Sequence, residues 1–299
     1  MKEAAKASHQ ESSTRLRRVE GRHNALVKEL RRAFARGEPT EDGYAALEGL
    51  RILEEAIRSG VKFRAVFLSE SAAMKAERLL PQIGAHVETL LLPDKLFASA
   101  VPSETPQGVA ALARWKEFSL DDVLGKAGAG PLLVIAGLQD PGNLGTIMRS
   151  AEAFGAGGII LGEGTVSPFN PKVVRASAGS VFRLPLARSK LADVIAHMKA
   201  RAKGEGLRLV ATSAHKGTPL DQTNLSGPLA IFIGSEGAGL SRDLIKAMNQ
   251  VVAIPQAPQV ESLNAGVAAS IVLYEVARQT ALTTKDTKAH EGKLLPLPT

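Results

Sequence analysis

Along the first 120 positions the apolar residues recur with two different periods. Leu26, Val27, Leu30 and Phe34 fall on one helical stripe whose outer face is basic, predicting a helix over 24–34. The turn-rich "RGEPTEDG" ends it, and a second helical pattern runs from Tyr44 to Arg58, closed by Gly60. "KFRAVFLSE", "HVETLLLP" and "GVAALARW" read as strands, and "SAAMKAERLLPQIG" as a helix starting at Ser71. This is a compact α/β unit of about a hundred residues, the size of an ordinary domain. A polar connection follows Trp115, and the glycine-rich "GKAGAGP" at 125–131 marks a boundary.

Beyond it the alternation is more regular. Strands are predicted near 132–138, 157–162, 207–212, 229–234 and 251–254, and helices near 143–154, 170–178, 190–203, 241–248 and 262–280. Short, wholly apolar strands interleaved with helices predict a parallel sheet covered on both faces. Ligands bind such sheets at the carboxyl ends of their strands, so the loops that follow the strands carry the candidate chemistry. Neither the first 20 residues nor the end, "TKDTKAHEGKLLPLPT", shows a core pattern, and both are expected to be disordered tails.

Composition narrows the picture in two ways. The chain has 299 residues, room for two ordinary domains, and no apolar run of the ~18 residues that a membrane span needs. It has no cysteine, which excludes disulfides and thiolate chemistry, and no histidine or carboxylate cluster with metal-ligand spacing, so no metal is expected. With no signal-peptide pattern either, a cytoplasmic location is expected. The net charge is +7, and residues 1–37 hold ten Lys or Arg against four acids. A basic arm on a neutral body suits a nucleic-acid partner through phosphate contacts, although a merely solvated tail has the same charge.

Three loops hold the remaining chemistry. In "QDPGNLGTIMRS", Pro141 and Gly142 form a turn and Asn143 is placed as the N-cap of the next helix. Gly137-x-x-x-x-Gly142 matches the start of a P-loop, but Asn143 stands where the phosphate-binding Lys belongs, which excludes that reading. Arg149 follows, about 600° around the helix from Asn143. Set among apolar neighbours, it is expected to be semi-buried and to need either an internal acid or a substrate phosphate. In "IFIGSEGAGLSRDL", Gly234, Gly237 and Gly239 permit close backbone approach, and Glu236 has no core role. In "AIPQAPQVESLNAGVAASIVLYEVARQ", a proline-rich loop leads through Ser262, Leu263 and Asn264 into a long helix with small residues.

In order and spacing, "NLGTIMR", "GSEGAGLS" and "IPQAPQVESLNAGVAASI" resemble the three motifs of the SpoU (TrmH-like) RNA ribose 2′-O-methyltransferases of the SPOUT superfamily. The N-terminal half, with "RHNALVKELRR", "ALEGLRILEEAIRSG" and "ETPQGVAALAR", resembles the L30e-like substrate-binding domain of the same family. The likeness covers roughly residues 22–280. It implies an α/β fold: a basic arm at 1–21, an L30e-like domain at 22–118, a linker at 119–130, a trefoil-knotted SPOUT domain at 131–281 and a tail at 282–299. Asn264-Ala265-Gly266 departs from the usual Asn-Val-Ser, which is expected to loosen packing of the last helix.

The resemblance also implies S-adenosylmethionine as cofactor, bound at Thr212, Gly234, Glu236, Gly237, Ile254, Pro255, Leu263 and Asn264. It implies catalytic roles for Asn143, Arg149, Glu236, Ser262 and Asn264. Arg149 would grip a phosphate and stabilise the developing alkoxide, since a guanidinium is too weak an acid to serve as a simple base. Glu236 would either take the proton or order Asn143. RNA contacts would fall at Arg22, His23, Asn24, Lys28 and Arg51. A homodimer through the knotted domain is implied, with Val267, Ile271 and Leu273 compatible with an interface. The expected activity is ribose 2′-O-methylation of 23S ribosomal RNA. The alternatives are transfer RNA as substrate, or a non-catalytic RNA-binding or ribosome-assembly protein.

Overall fold

The computed structural model describes residues 16–103 and 106–289. They form two compact units, one running to Lys116 and including Ser167–Arg183, the other comprising Glu117–Val166 and the chain from Leu184 onward. The excursion Ser167–Arg183 lies within the span expected to be methyltransferase domain, yet clusters with the first unit.

The first unit is built on five strands, β1 (Leu16–Arg18), β2 (Ala45–Glu48), β3 (Lys62–Ser69), β4 (Glu88–Leu92) and β5 (Val109–Arg114), in the order β1-β4-β3-β5-β2. β1 and β3 flank β4 in parallel, while β2 and β3 both run antiparallel to β5. β1, β2, β3 and β4 therefore point the same way, and the loops after them gather at one end of the sheet. The helix Ala25–Arg36 buries Leu26, Val27, Leu30 and Phe34 against Phe67, Leu90 and Leu112 of the sheet.

Several expectations change here. Leu16–Arg18, assigned to a disordered arm, is a strand paired with Thr89–Leu91. Residues 1–15 of that arm lie outside the described residues. The helix expected from Tyr44 is split: Ala45–Glu48 is a buried strand on β5, and only Leu50–Arg58 is helical. Gly49 separates them at φ +101°, a conformation that side chains other than glycine's strongly disfavour. The expected linker contains the helix Leu120–Leu124, fixed by a capping box between Ser119 and Asp122, with Val123 and Leu124 fully buried.

In the second unit, β6 (Leu132–Ile135), β7 (Gly158–Leu161), β8 (Leu186–Arg188), β9 (Arg208–Ser213), β10 (Thr218–Pro219), β11 (Leu229–Ile233) and β12 (Gln250–Ala253) form one sheet, ordered β10-β12-β9-β11-β6-β7-β8. Every neighbouring pair is parallel, as the unbroken apolar strands predict. Val134, Ile160, Leu209 and Phe232 share one core with Val194 and Met198 of the helix Leu191–Glu205. The helix expected over 170–178 stops at Ala176, where Ala178 and Gly179 take φ +50° and +92°. The last helix, Ala265–Ala289, continues well into the expected tail, whose residues 290–299 lie outside the described residues. None of the described helices is long and apolar enough to cross a membrane.

Candidate active site

With all strands parallel, the loops after β6, β9, β11 and β12 lie at one end of the sheet, and β11 neighbours both β6 and β9. The loop after β6 ends in the helix Pro141–Ala153. Its N-cap is Asp140, not Asn143: the Asp140 carboxylate accepts from the Asn143 N–H at 2.7 Å, and Pro141 takes the first helical position, where its missing N–H costs nothing. Asn143 thus sits in the first turn with its side chain free for other work. It is buried, and its Nδ2 donates to Glu236 Oε1 at 3.1 Å. The Asp140 N–H reaches the same oxygen at 3.3 Å.

Glu236 belongs to the loop after β11, shaped by its glycines. A Cβ on Gly234 would stand 2.2 Å from the carbonyl carbon of Gly239, so only glycine fits there, and Gly239 itself has φ +63°. The loop closes through the Gly239 N–H to the Ser235 carbonyl, 3.0 Å, before Ser241 caps the helix Arg242–Lys246. Partial burial pushes the Glu236 carboxyl upward. Hydrogen bonds from Asn143 and from the N–H groups of Glu236, Asp140 and Gln139 outweigh this and hold it below the ordinary carboxylate range. Of the two roles open to Glu236, these bonds favour ordering Asn143, because a stabilised carboxylate is a weaker base.

Arg149 is exposed rather than semi-buried, and no carboxylate among the described residues pairs with it. It stands on the same outward stripe of the helix as Gly142 and Ala153. The adjoining face packs on the last helix through three successive steps. A Cβ on Gly266 would lie 3.2 Å from Thr146, Ser150 and Ser270 share a 2.6 Å hydrogen bond, and the rings of Phe154 and Tyr274 meet edge-on at 5.9 Å. Gly266, expected to loosen this packing, permits the close approach instead. Asn264 caps the last helix, its Oδ1 accepting from the Val267 N–H at 3.2 Å, and Ser262 is exposed. Leu273 is buried; among the described residues the large exposed apolar side chains of this helix are Val267, Ile271 and Tyr274.

The comparisons with known proteins bear on this arrangement directly. The model of the SpoU rRNA Methylase family matches residues 131–274, and that of the MRM3-like substrate binding domain matches residues 24–111. The Bacillus subtilis protein named 23S rRNA (guanosine(2553)-2′-O)-methyltransferase RlmP is 30% identical over 261 residues, covering 87% of this chain and 99% of its own. The chain belongs to the SpoU family of RNA methyltransferases. Two solved SpoU-type structures are similar throughout. The AdoMet-bound rRNA methyltransferase from Sinorhizobium meliloti is 29% identical with TM-score 0.75, covering 88% of this chain and 98% of its own. AviRb from Streptomyces viridochromogenes, in complex with AdoMet, is 28% identical with TM-score 0.75, covering 86% and 98%.

The SpoU family uses S-adenosylmethionine, and the residues present fit that group. A Cβ on Gly237 would meet nothing within 4 Å, so the loop opens onto free space beside an anionic Glu236. Gln256, just past Ile254 and Pro255, donates its amide to the Ala214 carbonyl at 3.3 Å and so ties the loops after β12 and β9. Its Oε1 is buried without a partner, an acceptor left over beside the expected cofactor residues. Thr212 donates its hydroxyl to the Phe232 carbonyl at 3.0 Å, so its side chain is held on the neighbouring strand. Ile254 and Leu263 are half-buried and Pro255 exposed.

Of the expected RNA contacts, Arg22, His23, Lys28 and Arg51 are exposed at the shared end of β1 and β2. Asn24 is occupied as the N-cap of the helix Ala25–Arg36, accepting from the Leu26 and Val27 N–H groups. Sequence reasoning missed Asp140 and Gln256. The Asp-Pro pair is itself a helix-start signal that pointed to Asp140; no pattern marked Gln256.

Proposed function

We propose that this SpoU-family enzyme methylates a ribose 2′-hydroxyl of 23S ribosomal RNA, in the cytoplasm and as a homodimer. The observation that carries the reading is the Asn143–Glu236 bond of 3.1 Å on the helix that also presents Arg149, unpaired among the described residues. An inert RNA-binding fold has no need of a glycine loop that fixes one carboxylate on one amide.

S-adenosylmethionine, when bound, would supply the activated methyl group. The chain's own part is to place that oxygen. Glu236, accepting from Nδ2, fixes the Asn143 amide so that its Oδ1 is left to accept from the ribose hydroxyl. Arg149 grips the adjacent phosphate in two-pronged fashion and steadies the negative charge that develops on the attacking ribose oxygen. Ser262 and Asn264 close the site from the loop before the last helix, and Thr212, Gly234, Gly237, Ile254, Pro255 and Leu263 line the cofactor mainly with backbone.

The first unit would hold the RNA through Arg22, His23, Lys28 and Arg51, with 22–118 as its substrate-binding domain and 131–281 as the methyltransferase domain, along a trefoil-knotted path. Val267, Ile271 and Tyr274, at helical spacing, suit a partner subunit. The ribosomal target is favoured over transfer RNA by the activity for which the Bacillus relative is named. Mapping 2′-O-methyl sites in total RNA with and without the gene tests this. A lost site in 23S RNA is expected; loss confined to transfer RNA, or no loss at all, overturns it.

A further inference from the structure

The loop after β7 holds the loop after β6 from behind. The last ladder bond of β6 is the Ala136 N–H to the Ile233 carbonyl, 2.8 Å. The next residue, Gly137, turns away at φ +74°. Thr165 meets it there: its Oγ1 accepts from the Gly137 N–H at 3.1 Å and donates to the Ile135 carbonyl at 3.2 Å. One residue on, the Val166 N–H donates to the Leu138 carbonyl at 2.8 Å. The turn that begins the catalytic loop is thus fixed at two successive points by Thr165 and Val166.

Three residues beyond Gly137 stands Asp140, which does two things at once. Its carboxylate caps Asn143, and its N–H reaches Glu236 at 3.3 Å. That second bond is close to the outer limit for an N–H donor, so a shift of a few tenths of an ångström breaks it. Deleting the Thr165 hydroxyl strands the Gly137 N–H and frees a glycine turn that has no side chain to restrain it. The displacement then travels along three residues to the amide that positions the substrate.

We propose that Thr165 is a positioning residue for methyl transfer, its hydroxyl setting the loop that presents Asp140 and Asn143 to Glu236. Thr165 does not touch substrate; it acts through Gly137. The inference rests on the ribose methyltransferase reading above.

The test compares wild type with Thr165→Val, which keeps the shape and loses the hydroxyl, and with Thr165→Ser, which keeps the hydroxyl. Single-turnover methyl transfer to a 23S RNA transcript is measured beside calorimetric binding of S-adenosylmethionine and RNA affinity, well below each melting temperature. Thr165→Val should slow transfer by about 10- to 100-fold, the scale of a sub-ångström to 1 Å misplacement. Both affinities should stay within about 2-fold, and Thr165→Ser should restore most of the rate. Should Thr165→Val not fold, Thr165→Ala takes its place with the same readouts. A folded hydroxyl-free variant that transfers at the wild-type rate overturns the proposal. So does a Ser variant as slow as Val, or a rate loss explained by weaker cofactor binding. A wild type that methylates no ribose sinks the activity itself, a different result.

Discussion

Ser150 and Ser270 share a 2.6 Å hydrogen bond, and because Ser270 gives its own proton to the Gly266 carbonyl, Ser150 is the donor. The bond joins the helix of Asn143 and Arg149 to the helix capped by Asn264. One step along the same contact, Gly266 meets Thr146 with no room for a large side chain. Gly266→Leu should therefore destabilise the protein by about 1–3 kcal/mol through overpacking and reduce methyl transfer beyond that loss. Urea unfolding beside single-turnover rates checks this; a variant as stable and fast as wild type would show the contact to be slack.

Arg149 gives the cleanest separation of function from stability, being exposed and without an acidic partner among the described residues. Arg149→Ala should leave melting and cofactor affinity unchanged while slowing transfer by about 10²–10³-fold, the usual worth of a charge-stabilising donor. Arg149→Lys should recover little, because an ammonium cannot reproduce the planar fork. Near-normal transfer by a folded Ala variant removes Arg149 from the mechanism.

Glu236 is held below the ordinary carboxylate range, so its hydrogen-bonded, ionised form is favoured in the folded chain. A group lowered in this way contributes stability at pH above its unfolded value, and the contribution fades as pH falls through the folded value. The Asn143–Glu236 arrangement should consequently persist through the mildly acidic range. Glu236→Gln should slow transfer at neutral pH and flatten the acid limb of the stability profile. A rate for Glu236→Gln equal to wild type from pH 5 to 8 would show that the carboxylate is not needed.

The ion pair between Arg175 and Glu48, 3.1 Å, is uneven: Glu48 is only 4% exposed and Arg175 considerably more. Removing the arginine leaves a buried carboxylate without its ionic partner, which should cost about 1–3 kcal/mol. Glu48→Gln, with no charge to strand, should cost less. Equal stabilities for the two variants in urea would contradict this account of the pair.

Much of this was legible before any coordinates. The parallel sheet could be read from wholly apolar runs such as Leu132–Leu138, and the convergence of Asn143 with Glu236 from motif order. What was missed has physical causes. Ala45–Glu48 carries helix-forming residues, yet pairing with β5 and the turn at Gly49 override their local preference. Leu16–Arg18 is too short to show a period and depends on β4 for its structure. Asn143 is a good cap in isolation, but Asp140 three residues earlier is better placed. The exposure of Arg149 depends on which helix faces are covered, which its own neighbours do not reveal.

The chain enters the first unit a second time at Ser167 and leaves it after Arg183. That short return brings Phe169 and Phe182 to the ring of Trp115, and Arg183 to Glu55. No single cut can therefore release either unit with all its parts. A fragment ending at Lys116 lacks the aromatic partners of Trp115, the arginine paired with Glu48 and one of the two arginines paired with Glu55, and one beginning at Glu117 carries seventeen residues packed for a neighbour it has lost. Swapping the first unit for that of a relative would have to exchange two separated stretches together, so this unit is inherited as two pieces rather than one.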